Sequence, residues 1–219
     1  MSLPRAPRAV IFDMDGLLID SESIYRDAML ETAAEGRFDL PWSVIERMVG
    51  VPWYNAVLAL TDHYGPDFDT AAFRDEATRR FHLVADAGIC LKAGVIELLD
   101  HLDSLALPRA ICTGSGPLEV QKHIGQHGLL ERFDAIVARG DYVRGKPEPE
   151  PFLLTAERLA IAPADCLVLE DSYNGVRAAS AAGMMTVMVP DLLHASEEMQ
   201  GLCARIADSL HDVRDLLVS

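Results

Sequence analysis

Asp13 and Asp15 stand one residue apart at the end of an apolar run, Ala9 to Phe12, and Gly16 follows them. Two bare carboxylates held that close repel, and a divalent cation between them removes the conflict. Magnesium is the natural choice, because it takes carboxylate and carbonyl oxygens and keeps waters for a substrate phosphate. Glu170 and Asp171 repeat the pattern at the end of a second apolar run, "CLVLE" (Cys166–Glu170). Between the two acidic pairs lies "CTGSG" (Cys112–Gly116), a hydroxyl at Thr113 followed by open backbone N–H groups at Gly114, Ser115 and Gly116. Such a turn ahead of a helix suits an anion. Lys146, between Gly145 and Pro147, is held out of a helix and would counter phosphate charge. Taken singly, each feature also reads as plain structure: an Asp-rich turn, an N-cap supplied by Ser115, a surface lysine. Their joint occurrence is the signal.

These groups need a scaffold that brings separated strand ends together. The runs Arg8–Phe12, Pro108–Cys112, Asp134–Ala138, Cys166–Glu170 and Met185–Val189 are continuously apolar rather than alternating. Strands buried on both faces look like this, and they belong to parallel sheets covered by helices. Helical spacing over Val95–Leu105, Leu118–His127, Pro151–Leu159 and Tyr173–Ala182 alternates with them. The expected fold is α/β, a doubly wound, Rossmann-like parallel sheet, whose ligands bind beyond the strands' carboxyl ends. Residues 21–87 break the rhythm. Ser23–Glu35, Trp42–Val49, Trp53–Tyr64 and Thr70–Asp86 read as amphipathic helices, with turns and caps at "DLPW" and "PDFDT". The organisation expected is a catalytic core, 1–20 with 88–219, and an inserted all-helical cap, 21–87, opening and closing on hinges near Ile19–Ser21 and Gly88–Ala93.

Composition narrows the partners. The chain has 219 residues and a formal net charge of −15, with 34 acids against 19 Lys and Arg. No basic stripe interrupts the acidity, so nucleic acid and anionic membrane are not expected partners. No apolar run is long enough to span a bilayer, "MSLPRAPRAV" lacks a signal-peptide core, and a cytoplasmic protein is expected. The cysteines Cys90, Cys112, Cys166 and Cys203 form no C-x-x-C pair, and His123 and His127 have no Glu between them as in a zinc-protease motif. A monomer is the default.

The ordered set resembles the haloacid dehalogenase superfamily, in its phosphatase branch. That branch has an apolar strand with D-x-D-G, a strand ending in Thr or Ser, Lys before Pro, and an acidic pair. "DMDGLLIDSE" and "GKPEPEPF…EDSYNGVRAA" are similar to the subgroup that holds β-phosphoglucomutase and small sugar- or nucleotide-monophosphate phosphatases. The resemblance implies Asp13 as nucleophile, through an aspartyl-phosphate, and Asp15 as general acid and then general base. It implies Mg²⁺ on Asp13, Asp171 and the Asp15 carbonyl, with Glu170 as ligand or neighbour. Thr113, Gly114 and Lys146 would hold the phosphoryl oxygens. The dehalogenases lack the second aspartate and the metal, so dehalogenation is set aside. The mutase calls for a histidine in the first cap helix and an arginine further on, where Tyr25 and Trp53 stand here. Hydrolysis of a small phosphorylated metabolite, a sugar phosphate or nucleoside monophosphate, is therefore the expected reaction. A phosphosugar mutase and a non-catalytic phospho-ligand sensor are the alternatives. Tyr25, Trp53 and Tyr54 are candidate substrate contacts, although packing between cap helices would also use them. "LKAG" (Leu91–Gly94) departs from the expected Pro-Gly, and Lys92 there is either a surface residue or a substrate contact.

Overall fold

A computed structural model describes residues 3–51 and 53–217. The ends of the expected core, 1–2 and 218–219, lie outside the described residues. The apolar runs form the strands β1 (Ala9–Phe12), β2 (Arg109–Cys112), β3 (Ala135–Val137), β4 (Cys166–Glu170) and β5 (Met185–Met188), and β6 (Arg205–Ile206) joins them. All pair in parallel, in the order β3-β2-β1-β4-β5-β6. The chain thus winds outward from β1 in one direction and then in the other. The crevice beside β1 is where such sheets bind ligands.

Helices α1 (Ser21–Gly36), α2 (Trp42–Ile45), α3 (Trp53–Tyr64) and α4 (Thr70–Ala85) follow β1. Then come α5 (Val95–Ser104) before β2, α6 (Pro117–Gly125) after it, α7 (Glu150–Leu159), α8 (Tyr173–Ala181), α9 (Glu197–Leu202) and α10 (Leu210–Leu217). Every residue of β1 and β4 is buried, as strands covered on both faces require. Ala9 and Ile11 pack with Val168 of β4, Phe152 and Ala156 of α7, and Ala178 and Ala179 of α8. Phe12 sets its ring edge-on to Phe133 at 5.8 Å. Leu98, Leu99 and Leu102 are fully buried along α5, which packs on α10.

Two compact units emerge, Met1–Ile19 with Cys90–Ser219, and Asp20–Ile89. The first holds the sheet. Its chain leaves through a tight turn in which the Met14 carbonyl accepts from both Leu18 N–H (2.9 Å) and Ile19 N–H (3.1 Å). It returns alongside: Ile19 bridges to Leu91, and Lys92 N–H donates to the Leu18 carbonyl at 3.0 Å. The second unit has no strand among its described residues. Helices α1 and α4 pack together, and Phe38, Tyr64, Phe68 and Phe73 form an aromatic cluster. Asp69 caps α4 by accepting from Ala72 N–H at 2.9 Å, as the "PDFDT" turn suggests.

The structure departs from the sequence reading in detail. Helix α2 stops at Ile45 instead of Val49, because Arg47 and Met48 donate three residues back, into turns, and Gly50 follows at φ +64°. The structure adds β6, α9 and α10 to the elements expected from the sequence. Among the described residues no helix is long and apolar enough to cross a membrane.

Candidate active site at the strand ends

Beyond Phe12 the Asp13 N–H donates to the Leu169 carbonyl at 3.0 Å, continuing the β1–β4 ladder for one more residue. That pairing fixes the Asp13 carboxylate at the carboxyl edge of the two central strands. Lys146 reaches it from far along the chain. Its Nζ donates to Asp13 Oδ1 (2.5 Å), Glu170 Oε1 (2.6 Å) and the Cys112 carbonyl (2.9 Å), and lies 4.9 Å from the centre of the Phe152 ring. Three strand ends are tied to one ammonium group. The side chains of Lys146, Asp13 and Glu170 are only 11 %, 10 % and 0 % exposed. Burial acts to lower the Lys146 pKa, and the Asp13 and Glu170 carboxylates more than reverse it, so the lysine stays charged.

The β4 end is built by short-range bonds. Ser172 caps α8 by accepting from Gly175 N–H at 3.1 Å. The same residue donates twice to Glu170 Oε2, from its N–H (3.1 Å) and its hydroxyl (2.9 Å). Glu170 lies so close over α8 that a Cβ on Gly175 would come within 1.8 Å of its Oε1. Gly16, at φ +79°, makes a similar approach from the other side: a Cβ there would meet Asp171 Oδ2 at 2.3 Å. Both glycines exist so that carboxylates can sit against backbone.

At the β2 end Thr113 N–H extends the ladder to the Val137 carbonyl at 2.9 Å, and the Thr113 carbonyl accepts from the Tyr142 hydroxyl at 3.0 Å. Thr113 Oγ1 accepts from Ser115 N–H at 3.0 Å and lies 3.4 Å from Asp15 Oδ2. Gly114 faces open space. Ser115 does not cap α6: Gly116 holds that position, and the Ser115 hydroxyl donates to Asp15 Oδ2 at 2.6 Å. The sequence suggests Ser115 as an N-cap, a turn residue and a backbone donor, and this side-chain contact with Asp15 is new.

Asp13, Glu170 and Asp171 are all buried, and each offers an oxygen within 4.8 Å of the others'. Burial, with repulsion from Glu170 and Asp15, pushes the Asp13 carboxyl up to about 8 even though Lys146 works against it. Lys146 opposes that rise without cancelling it. An all-oxygen donor set of this kind fits a hard divalent cation. Asp15 is outside that group, since its carboxylate is turned to Ser115.

Asp13, Asp15, Thr113, Lys146, Glu170 and Asp171 thus converge on one edge of the sheet. Tyr25 and Trp53 belong to the helical unit, where Tyr25 meets Phe81 edge-on at 5.7 Å and Trp53 carries the Arg74 guanidinium 5.1 Å above its ring. Lys92 is paired with Asp191 at 2.6 Å.

Residues 7–183, which span all of these site residues, match the haloacid dehalogenase-like hydrolases. The chain belongs to that family. It is 33% identical over 211 residues to a probable pseudouridine-5'-phosphatase of Drosophila melanogaster, covering 93% of this chain and 90% of that one. It is 32% identical over 194 residues to the fructose-1-phosphate phosphatase YqaB of Escherichia coli (strain K12), covering 82% and 95%. Among solved structures it superposes on a family hydrolase from Deinococcus radiodurans, determined with bound phosphate and sodium, at a TM-score of 0.80 and 28% identity, covering 98% and 96%. The chain is thus a hydrolase, and these two relatives are named as phosphatases.

Proposed function

We propose that this hydrolase is a magnesium-dependent phosphatase that cleaves a small phosphorylated metabolite, a sugar phosphate or nucleoside monophosphate, through an aspartyl-phosphate. The observation that carries the reading is the convergence of Lys146 with the buried carboxylates of Asp13, Glu170 and Asp171. Relatives named for pseudouridine 5'-phosphate and fructose 1-phosphate support the substrate class.

In this reading a carboxylate oxygen of Asp13 attacks phosphorus, and the bond to the leaving alkoxide breaks. Asp15 gives that alkoxide its proton. It then takes a proton from the water that attacks phosphorus and releases inorganic phosphate, regenerating Asp13. Ser115 holds the Asp15 carboxylate by Oδ2 while it waits. Thr113, the Gly114 N–H and Lys146 hold the transferring oxygens, and the fixed positive charge of Lys146 is opposed to the charge that builds there. Asp13, Asp171 and the Asp15 carbonyl would hold Mg²⁺, with Glu170 as ligand or neighbour. When bound, the ion supplies charge neutralisation that lets anionic nucleophile and anionic phosphate approach. The helical unit, with Tyr25 and Trp53, is assigned to substrate choice.

A panel of sugar phosphates and nucleotides, assayed for phosphate release with and without magnesium, tests this. Magnesium-dependent release from one subset is the expected result. Isomerisation of a hexose 1-phosphate without release would make the protein a mutase instead, and metal-dependent binding with neither reaction would make it a sensor.

A further inference from the structure

The fifth strand also delivers an acid to the site edge. After β5 the chain runs through Val189 and Pro190 to Asp191. The Asp191 side chain is only 10 % exposed, and its Oδ1 accepts from Lys92 Nζ at 2.6 Å. Its other oxygen, Oδ2, is buried and has no hydrogen-bond partner among the described residues. A buried carboxylate oxygen left without a donor is costly, and its position needs an explanation. Oδ2 faces the bare backbone of Gly16. The point where a Cβ would stand on Gly16 is 3.3 Å from Asp191 Oδ2 and 2.3 Å from Asp171 Oδ2. The Asp171 and Asp191 carboxylates, the first of them in the Asp13–Glu170–Asp171 group, therefore approach the same bare stretch of backbone at Gly16.

What Asp191 Oδ2 lacks is a donor. A water carried by a cation is one, and magnesium keeps several of its waters. We infer that Asp191 is an outer carboxylate of the cation site, accepting a hydrogen bond from a cation-bound water, and that the Lys92 ammonium holds it oriented. This rests on the cation reading given above. It also gives Lys92 a place in the site, through Asp191 rather than through substrate. Asp191 is a positioning residue: it acts on the water shell, and through it on how tightly and in which orientation the ion is held.

The test is calorimetric titration of Mg²⁺ into the full chain, with no substrate present. In Asp191→Asn, Lys92 keeps the amide carbonyl and the NH₂ faces the point where an acceptor is wanted, so the dissociation constant should rise roughly tenfold or more. The double variant Asp191→Ala with Lys92→Met removes one charge of each sign and leaves no lone buried ion, so it stays folded if the single variant does not. Its affinity should fall by a similar factor, and that loss reports the acceptor rather than net charge. If Asp191 serves only as a structural ion-pair partner, melting temperatures of the metal-free variants drop while Mg²⁺ affinity stays within twofold of the parent; that result overturns the inference and leaves the cation reading standing. If the parent chain itself binds no Mg²⁺, the cation reading falls and this inference falls with it.

Discussion

Lys146 and Arg80 each hold several carboxylates, and the two arrangements do opposite work. Lys146 joins Asp13 and Glu170, whose side chains are 10 % and 0 % exposed. Arg80, on the helical unit, joins Glu31 at 3.2 Å, Glu76 at 2.7 Å and also Glu35, with Glu31 and Glu35 67 % and 69 % exposed. In water such pairs gain little, because solvent screens them and long side chains lose freedom. Out of water the desolvation cost is large, and a buried ion left without its partner is more costly still. The surface cluster organises a helix face. Burying the second cluster costs stability, and that cost makes it the candidate for chemistry.

The sharpest way to break this comparison is Asp13→Asn. Turnover should fall by about 10⁴-fold or more while circular dichroism is unchanged; retained phosphate release would remove the nucleophile assignment. Lys146→Met comes next. It leaves Asp13 and Glu170 buried together without their cation, so unfolding free energy should drop by about 3–5 kcal/mol in metal-free protein. Activity should fall by roughly 10²–10³-fold even with magnesium present. Denaturant melts and kcat measurements check the two halves separately.

Gly175→Ala should have a smaller effect of the same kind. Its Cβ would overlap Glu170 Oε1, and moving that carboxylate costs on the order of 1–3 kcal/mol. Weaker Mg²⁺ binding should accompany the loss, since Glu170 borders the cation group. The pH dependence is subtler. With its carboxyl pushed up to about 8, Asp13 favours the folded state while it is protonated. That contribution is fully present below its ordinary value of 3.8 and is lost as pH rises through about 8. Magnesium needs the ionised form, so the rise in melting temperature on adding Mg²⁺ should be larger near pH 8 than near pH 6, as paired thermal melts would show. A constant rise would mean that Asp13 is already ionised throughout. Arg80→Ala should do least: a smaller change in melting temperature than any variant above, with phosphate release by the core chemistry intact.

The buried half of this comparison was largely legible in the sequence. Strands β1, β2 and β4 announced themselves because burial on both faces leaves no polar alternation to confuse the pattern. Their ends could then be searched for chemistry, and Asp13, Thr113, Lys146 and Asp171 did converge. The strand β6 has only Arg205 and Ile206 to show, and two residues carry no periodicity. Helix α10 did have a signal, with Leu210, Val213 and Leu217 at helical spacing, and Ser196 ahead of Glu197 and Glu198 marked the start of α9. Asp191 was equally within reach. It follows the apolar run Met185–Val189 as Asp13 follows Ala9–Phe12. What no pattern could give is the pairing of Ser115 with Asp15, since a hydroxyl in a turn has several partners within reach and tertiary geometry chooses among them.

The clasp between Ile19 and Leu91 has its own consequence. The long insertion begins and ends at neighbouring backbone positions, so its removal would leave a gap that a short turn could close. That segment can therefore be traded for another without re-registering the strands. Chimeras spliced at these two positions would show which properties travel with the exchanged segment and which stay with the sheet.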